Sequence, residues 1–317
     1  MSRFEASILL PVHSTRFLLE TLTSIEVACK NDFDWQLVII LDRVPLRELQ
    51  SQIPNFGANI SLTILESKKP GIVNALNLGL SHCKSALIAR IDEDDLVSPN
   101  RFISQVGYLK KNPECLVVGS ALQLIDEDGN KIGNIRYPLQ HRNLTKSLFL
   151  FSPIAHPASM YRLDAVEGVG GYRLGVPEDW DLWVRLSRVG KIRNLPEKLI
   201  SYRQHNNQLS RTKMYKVWRS RRILLLANFL SDEDFARELH KFNGNDSALS
   251  FAVSELVQQN RDALREFRRI LNQESFEELR NKVTTRKTAK IIRLIKFMCC
   301  YPLQSFRAIS LKFLALK

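Results

Sequence analysis

A chain of 317 residues that is 44% hydrophobic holds enough apolar material for one large domain or two. Its 46 basic and 33 acidic residues leave a formal charge of +13, which points to an anionic partner and leaves nucleic acid, a sugar nucleotide and an anionic membrane face open. Five cysteines with no metal spacing and an odd count argue against a disulfide framework or a zinc site, and no apolar run reaches transmembrane length. Residues 1–6 run straight into a strand with no leader in view, so a cytoplasmic location is expected.

In chain order, Ser7-Ile-Leu-Leu-Pro-Val12 is an apolar run of strand length ending at His13. A helical pattern over residues 16–29 puts Leu18, Leu22 and Ile25 on one face. Trp35-Gln-Leu-Val-Ile-Ile-Leu41 is a second continuously apolar strand and ends at Asp42. A third strand over 60–65 leads to Lys68-Lys69-Pro70-Gly71, and residues 72–80 read as a helix. A fourth strand, 85–89, runs into Arg90-Ile91-Asp92-Glu93-Asp94-Asp95, after which Pro99 opens a helix over 101–111. Strand and helix alternate as in βαβ units, so the first hundred residues predict an open parallel sheet covered on both faces. Ligands bind such sheets outside the carboxyl ends of the strands, and His13, Asp42, Lys68 and the acidic run all fall there.

Four consecutive carboxylates at the end of a core strand repel one another unless a cation sits among them. Oxygen ligands of this kind suit Mg²⁺ or Mn²⁺ shared with substrate phosphates. The alternative is a solvated acidic loop before the next helix, where acids also suit the dipole.

Further on, 116–125 and 131–137 flank Asp126-Glu-Asp-Gly-Asn130 and predict a hairpin with a solvated acidic turn, since the spaced ligands of a calcium loop are missing. Residues 153–161 read as a short strand with His156 at its mouth, by default a structural histidine. Gly168-Val-Gly-Gly-Tyr172 predicts a flexible or tightly turned loop. It leads to Pro177-Glu178-Asp179-Trp180 at the start of a helix that stops at Gly190, with Leu182, Val184, Leu186 and Val189 facing inward. A carboxylate there is held ionised by the helix N-terminus, which suits a general base and equally an ordinary cap.

Together these residues resemble glycosyltransferase family 2, the inverting GT-A enzymes. Pro11-Val12-His13, Asp42 and Asp92-Glu93-Asp94-Asp95 resemble its donor half. His156-Pro157, Met160, Gly170-Gly171-Tyr172, Glu178-Asp179-Trp180-Asp181-Leu182-Trp183, Arg185-Leu186 and Tyr202-Arg203-Gln204-His205 resemble its acceptor half. The similarity covers residues 5–212 and departs from the pattern at Arg43, where the family commonly has a second Asp, and at His13, where it often has Tyr.

The resemblance implies a GT-A domain over 1–212, a Rossmann-like, mostly parallel open sheet with flanking helices. It implies a nucleotide-sugar donor, UDP-linked, and a saccharide or lipid-linked glycan acceptor. Asp179 would be the base that deprotonates the acceptor hydroxyl, with Glu178 beside it. Asp94 would hold Mn²⁺ or Mg²⁺ and Asp92 would lie near ribose and metal, the cation taking up charge on the leaving phosphates. Asp42 would accept from the base ring, Pro11 and His13 would line its pocket, Lys68 would face phosphates or ribose, and His205 would reach the pyrophosphate or metal.

Residues 213–317 read as a helical, basic region. From 281 onward nine Lys and Arg alternate with large apolar residues and no acid, which suits either docking on an anionic inner-membrane face or a helix packed on the catalytic domain. Two other readings compete with the transferase. A sugar nucleotidyltransferase would want a glycine-rich phosphate loop after the first strand, and Pro11-Val-His-Ser-Thr15 offers none. A nucleic-acid-binding protein would want base-stacking aromatics amid its basic residues, which instead concentrate at the C-terminus, so no nucleic-acid partner is expected.

Overall fold

The computed structural model describes residues 3–148, 152–173 and 178–205. The expected boundary at 212 and the basic region beyond it lie outside the described residues. Among those described, no helix is long and apolar enough to cross a membrane.

The elements run β1 (Ala6–Val12), α1 (Leu18–Ala28), β2 (Trp35–Leu41), α2 (Leu46–Gln50), β3 (Ile60–Glu66), α3 (Ile72–Leu80) and β4 (Leu87–Arg90). Then come β5 (Leu96–Val97), α4 (Arg101–Lys111), β6 (Cys115–Ile125), β7 (Lys131–Ile135) and α5 (His141–Ser147). A 3-10 turn at His156–Ala158 precedes β8 (Met160–Arg162), α6 (Leu163–Gly168), α7 (Glu178–Val189) and β9 (Lys191–Arg203). One sheet holds all the strands in the order β3-β2-β1-β4-β8-β6-β9-β5, with β7 hydrogen-bonded to β6.

The predicted parallel half forms as the apolar runs dictate. β1, β2, β3 and β4 are parallel, with Ala6 opposite Trp35 and Ile8 opposite Ala89. Side chains alternate across a strand, so a run apolar at every position must be covered on both faces. Ile8, Leu10, Leu37 and Ile39 pack with Leu18, Leu22 and Ile25 of α1 and Phe102, Val106 and Leu109 of α4. The other face receives α3, where Gly79 makes the fit: a Cβ there would sit 2.3 Å from Leu9 Cδ1 and 2.6 Å from Ile40 Cδ1.

The second half departs from expectation in two places. The predicted strand over 153–161 is the 3-10 turn followed by β8, because Pro157 cannot donate to a ladder. β8 is antiparallel to both β4 and β6, and so joins the parallel half to the rest of the sheet. In α7, Leu182 and Leu186 are fully buried and Val184 is buried, but Val189 at the helix end is exposed and Trp180 and Trp183 fill the core instead. The expected hairpin forms as β6 and β7, and Cys29, Cys83 and Cys115 are free thiols.

Candidate active site

Two carboxylate clusters define the site. The first hangs from the carboxyl ends of β1, β2 and β4. Asp42, just past β2, is buried; its Oδ2 accepts the Gly71 N–H at 3.0 Å, and its Oδ1 has no hydrogen-bond partner. Gly71 has φ 109°, a left-handed backbone that turns this amide toward Asp42. The neighbouring Arg43 has φ 67°, costly for a residue with a Cβ, and its Nε lies 3.9 Å from Asp42 Oδ1. His13 Nδ1 lies 3.1 Å from the Asp42 carbonyl oxygen. Pro11 is buried within β1 opposite Ile40, and Lys68 is exposed on the turn after β3. The fold thus joins His13 to Asp42 and leaves Lys68 on the same rim.

The acidic run follows β4 as a turn. Oxygens of Asp92, Asp94 and Asp95 lie within 4.8 Å of one another. Arg90 ion-pairs with Asp92 Oδ1, and His205 Nε2 meets Asp94 Oδ2 at 2.8 Å. The backbone N–H of Arg203 donates to Asp95 Oδ1 at 2.9 Å, while the other Asp95 oxygen is buried without a partner. Burial and the Asp92 and Asp94 charges push Glu93 up to about 8. Burial and Asp92 raise Asp94 against the pull of His205, and burial with Asp94 and Asp92 carries Asp95 well above the carboxylate range. Clustered acids that resist ionisation, with an orphaned buried oxygen and hard ligand atoms, fit Mg²⁺ or Mn²⁺.

Arg203 fastens this turn. Fully buried, its guanidinium donates to the carbonyls of Asp94 at 3.0 Å and Glu127 at 2.6 Å and to Glu20 Oε2 at 2.6 Å, and it lies 4.4 Å over the Phe17 ring. The solvated turn expected at 126–128 is therefore tied to the site through backbone carbonyls. Phe17 also stacks on His205, with ring centroids 5.5 Å apart.

The second cluster opens α7. Ser152 Oγ donates to Asp179 Oδ2 at 2.9 Å. Burial and Glu178 raise Asp179, opposed by His156, Ser152 and the Trp180 amide. Burial raises Glu178 too, its own backbone and Arg90 oppose the shift, and Asp92 adds to it. Glu178 therefore lies within electrostatic reach of both Arg90 and Asp92, which links the α7 carboxylates to the acid turn. The sequence assigned no site role to four residues that the fold brings to these clusters: Arg90, His156, Tyr172 and, as an anchor, Arg203. A charge closing an otherwise apolar strand was the available signal for Arg90, whereas His156 and Tyr172 meet only through the fold.

Residues 8–230 match the family model described as glycosyltransferase like family 2. The O-antigen biosynthesis glycosyltransferase WbnJ of Escherichia coli is 33% identical over 184 residues, covering 56% of this chain and 72% of that protein. The amylovoran biosynthesis glycosyltransferase AmsE of Erwinia amylovora is 28% identical over 188 residues, covering 58% and 70%. Among solved structures, S. aureus TarS in complex with UDP-GlcNAc aligns with a TM-score of 0.55 over 74% of this chain and 70% of that one, at 13% identity. That likeness concerns the fold alone, and the fold is GT-A. With more than half its length matched, the chain belongs to glycosyltransferase family 2 and is a glycosyltransferase.

Proposed function

We propose that the enzyme moves a sugar, with inversion, from a UDP-linked donor to a hydroxyl of a saccharide or lipid-linked glycan, as a step of bacterial polysaccharide synthesis, and that it depends on Mn²⁺ or Mg²⁺. The observation that carries this reading is the electrostatic link between two carboxylate clusters, Asp92 and Asp94 in one and Glu178 and Asp179 in the other, through Arg90, which pairs with Asp92 and acts on Glu178. Asp42 and His13 would hold the nucleotide base with Pro11 beneath them, and Lys68 the phosphates or ribose. Asp92 and Asp94, with His205 against Asp94 and Asp95 behind, would hold the cation. A bound divalent cation neutralises charge on the departing diphosphate.

Asp179 would take the proton from the acceptor hydroxyl. Its raised affinity for a proton suits a base working near neutral pH, and Ser152 orients one of its oxygens. Attack from the side opposite the diphosphate inverts the sugar carbon in one displacement. The choice of acceptor is supported by an E. coli relative named as UDP-Gal:alpha-D-GlcNAc-diphosphoundecaprenol beta-1,3-galactosyltransferase, 30% identical over 153 residues, 47% of this chain and 55% of that protein. A lipid-linked acceptor would place the protein on the inner membrane face, where the basic, apolar sequence after 281 would dock.

The test is a panel of UDP-, GDP- and dTDP-sugars read by thermal shift with Mn²⁺ and with EDTA. A UDP-sugar should stabilise the chain, and only with the cation. Equal stabilisation in EDTA, or preference for another nucleotide, would overturn the metal or the donor reading respectively.

A further inference from the structure

Behind Glu178 lies a buried polar chain that the chemistry above leaves without a task. His156, on the 3-10 turn, is buried: its ring stands edge-on to Trp183 at 5.9 Å and tilted against Tyr172 at 5.4 Å. Its Nε2 lies 2.9 Å from the Tyr172 hydroxyl, which lies 2.9 Å from the Tyr161 hydroxyl. Its Nδ1 is buried, has no hydrogen-bond partner, and faces Glu178 Oε1 at 3.5 Å.

Great effort in the backbone brings Tyr172 there. Gly170 and Gly171 take φ 83° and 65°, and a Cβ on Gly171 would lie 2.9 Å from Asn77 Oδ1. Asn77 of α3 accepts the Tyr172 N–H at 3.0 Å and donates to its carbonyl at 2.9 Å. Arg185 of α7, paired with Asp181, donates to the carbonyls of Val169 at 2.6 Å and Gly171 at 2.8 Å. The glycine loop expected to be flexible or tightly turned is turned and pinned up to Tyr172.

Burial holds His156 down to about 3, so the ring carries a single proton. On Nε2, that proton would leave the Nδ1 lone pair facing a carboxylate oxygen. On Nδ1 it points at Glu178, Nε2 accepts from Tyr172, and Tyr172 accepts from Tyr161. Every hydroxyl and N–H then donates in one direction, toward the carboxylate.

We propose that His156 is a positioning residue of the transfer reaction: its Nδ1–H orients the Glu178 carboxylate toward the acceptor sugar, in a tautomer fixed by Tyr172 and Tyr161. This rests on the reading of Glu178 and Asp179 as the acceptor-side carboxylates. With one Glu178 oxygen held by His156, the other is free to accept a hydroxyl of the sugar while Asp179 receives the proton.

The deciding experiment is a two-bond ¹H–¹⁵N spectrum of the full chain labelled with ¹⁵N-histidine at pH 7.5, the His156 signals being assigned by their loss in His156→Gln. The expected result is the Nδ1–H tautomer, kept in Glu178→Gln, whose amide oxygen still accepts, and shifted in Tyr172→Phe. An Nε2–H tautomer or an imidazolium overturns the proposal on the unaltered protein, whatever the variants do. Turnover is followed as UDP release from the UDP-sugar giving the largest thermal shift, with a lipid-linked glycan extract as acceptor. His156→Leu should lose about 100-fold in kcat, the scale of a misplaced reacting geometry, with donor KM within about twofold. His156→Gln should recover part of that loss, and adding Tyr172→Phe to His156→Leu should cost nothing more. A loss confined to donor KM, or additive losses, overturns the proposal. A silent Glu178→Gln removes the reading beneath it, whereas an impaired Glu178→Gln beside a fully active His156→Leu sinks this inference alone.

Discussion

The two halves of the sheet solve the same problem of holding buried carboxylates by opposite means. In the donor half the acid turn after β4 is crowded, its members raise one another, and the cations at hand, Arg90 and Arg203, hold it by an ion pair and by backbone carbonyls. In the acceptor half the nearest groups are neutral, the Ser152 hydroxyl donating to Asp179 at 2.9 Å and the His156 ring 3.5 Å from Glu178, with Arg90 acting on Glu178 from farther off. The first arrangement suits a divalent cation, the second a carboxylate that must gain and lose a proton. On the proposed assignment the contrast separates binding from chemistry, and variants should separate them too.

The largest effects should come from one carboxylate in each half. Asp179→Asn removes the proposed base; losing a general base typically costs about 10²- to 10⁴-fold in rate, and UDP affinity should stay close to that of the unaltered chain. Asp94→Ala should abolish the cation-dependent part of UDP binding, whereas Asp126→Ala, in the turn beyond, should not. Isothermal titration with UDP and Mn²⁺, set beside turnover, checks both. Turnover of Asp179→Asn within a few-fold would move the base to Glu178, and unchanged cation dependence in Asp94→Ala would move the metal site.

The halves also differ in how far the sequence announces them. β1, β2 and β4 are short, contiguous and apolar at nearly every position, so length and pattern suffice, and His13, Asp42 and Asp92 to Asp95 follow at their ends. β9, Lys191–Arg203, carries Lys191, Arg193, Glu197 and Lys198 and a proline in mid-strand, and shows neither a continuous nor an alternating pattern. Its partner β6 takes up the irregularity: Ser120 lies opposite Leu195 and Ala121 opposite Lys198, so Pro196 and Glu197 bulge out of the ladder. That long parallel pairing with β6, with the antiparallel pairing of β9 to β5, delivers Arg203 and His205 to the acid turn, more than a hundred residues away in sequence. The chain His156–Tyr172–Tyr161 is hidden for the same reason, since it needs the 3-10 turn, the glycine loop and β8 together.

A smaller effect should come from Arg203, which belongs to the acceptor half in sequence and to the donor half in space. Arg203→Met keeps the apolar stem over Phe17 and removes the hydrogen bonds to Asp94, Glu127 and Glu20. Residues that orient metal ligands typically contribute about 10- to 100-fold in metal affinity, so Mn²⁺ binding should weaken by that factor while the Asp179 chemistry persists at saturating Mn²⁺. Affinity unchanged within about twofold would make Arg203 a purely structural clamp.

Gly171→Ala should act on stability in the acceptor half. A Cβ at φ 65° and 2.9 Å from Asn77 Oδ1 strains the backbone and crowds the clamp on Tyr172. Strain of this kind costs about 1–3 kcal/mol, visible as a lowered urea midpoint with an unchanged slope. UDP affinity should hold, because the one donor-half side chain near that Cβ position, Asn77 on α3, is not among the residues proposed to hold the nucleotide. A midpoint equal to that of the unaltered chain would mean the loop relaxes, and the tautomer of His156 would then report whether Tyr172 moved with it.

The gentlest probe is pH, which the acid turn and His156 should answer with opposite sign, Asp179 and Glu178 sharing the sign of the acid turn. Glu93 is pushed up to about 8 and Asp94 and Asp95 are raised, so between the ordinary carboxylate range and pH 8 the folded chain binds more protons than the unfolded one. Stability from these acids is therefore present at low pH and is lost as pH rises toward 8. His156 is held down to about 3 against its usual 6.5, so its contribution is present above 6.5 and is lost on acidification toward 3. Cation binding at the acid turn must displace the protons held there, and Mn²⁺ affinity should rise between pH 7 and 8 by at most about tenfold for each proton released. Melting curves in EDTA should accordingly fall from pH 6 to pH 8, the increment from Mn²⁺ should widen over the same interval, and calorimetry in buffers of different ionisation enthalpy should register proton release. In Asp94→Ala the widening should vanish, and in His156→Gln it should remain. A Mn²⁺ increment independent of pH would mean that the acids of the donor half are already ionised at pH 6, and the electrostatic difference between the two clusters would collapse to one of hydrogen bonding alone.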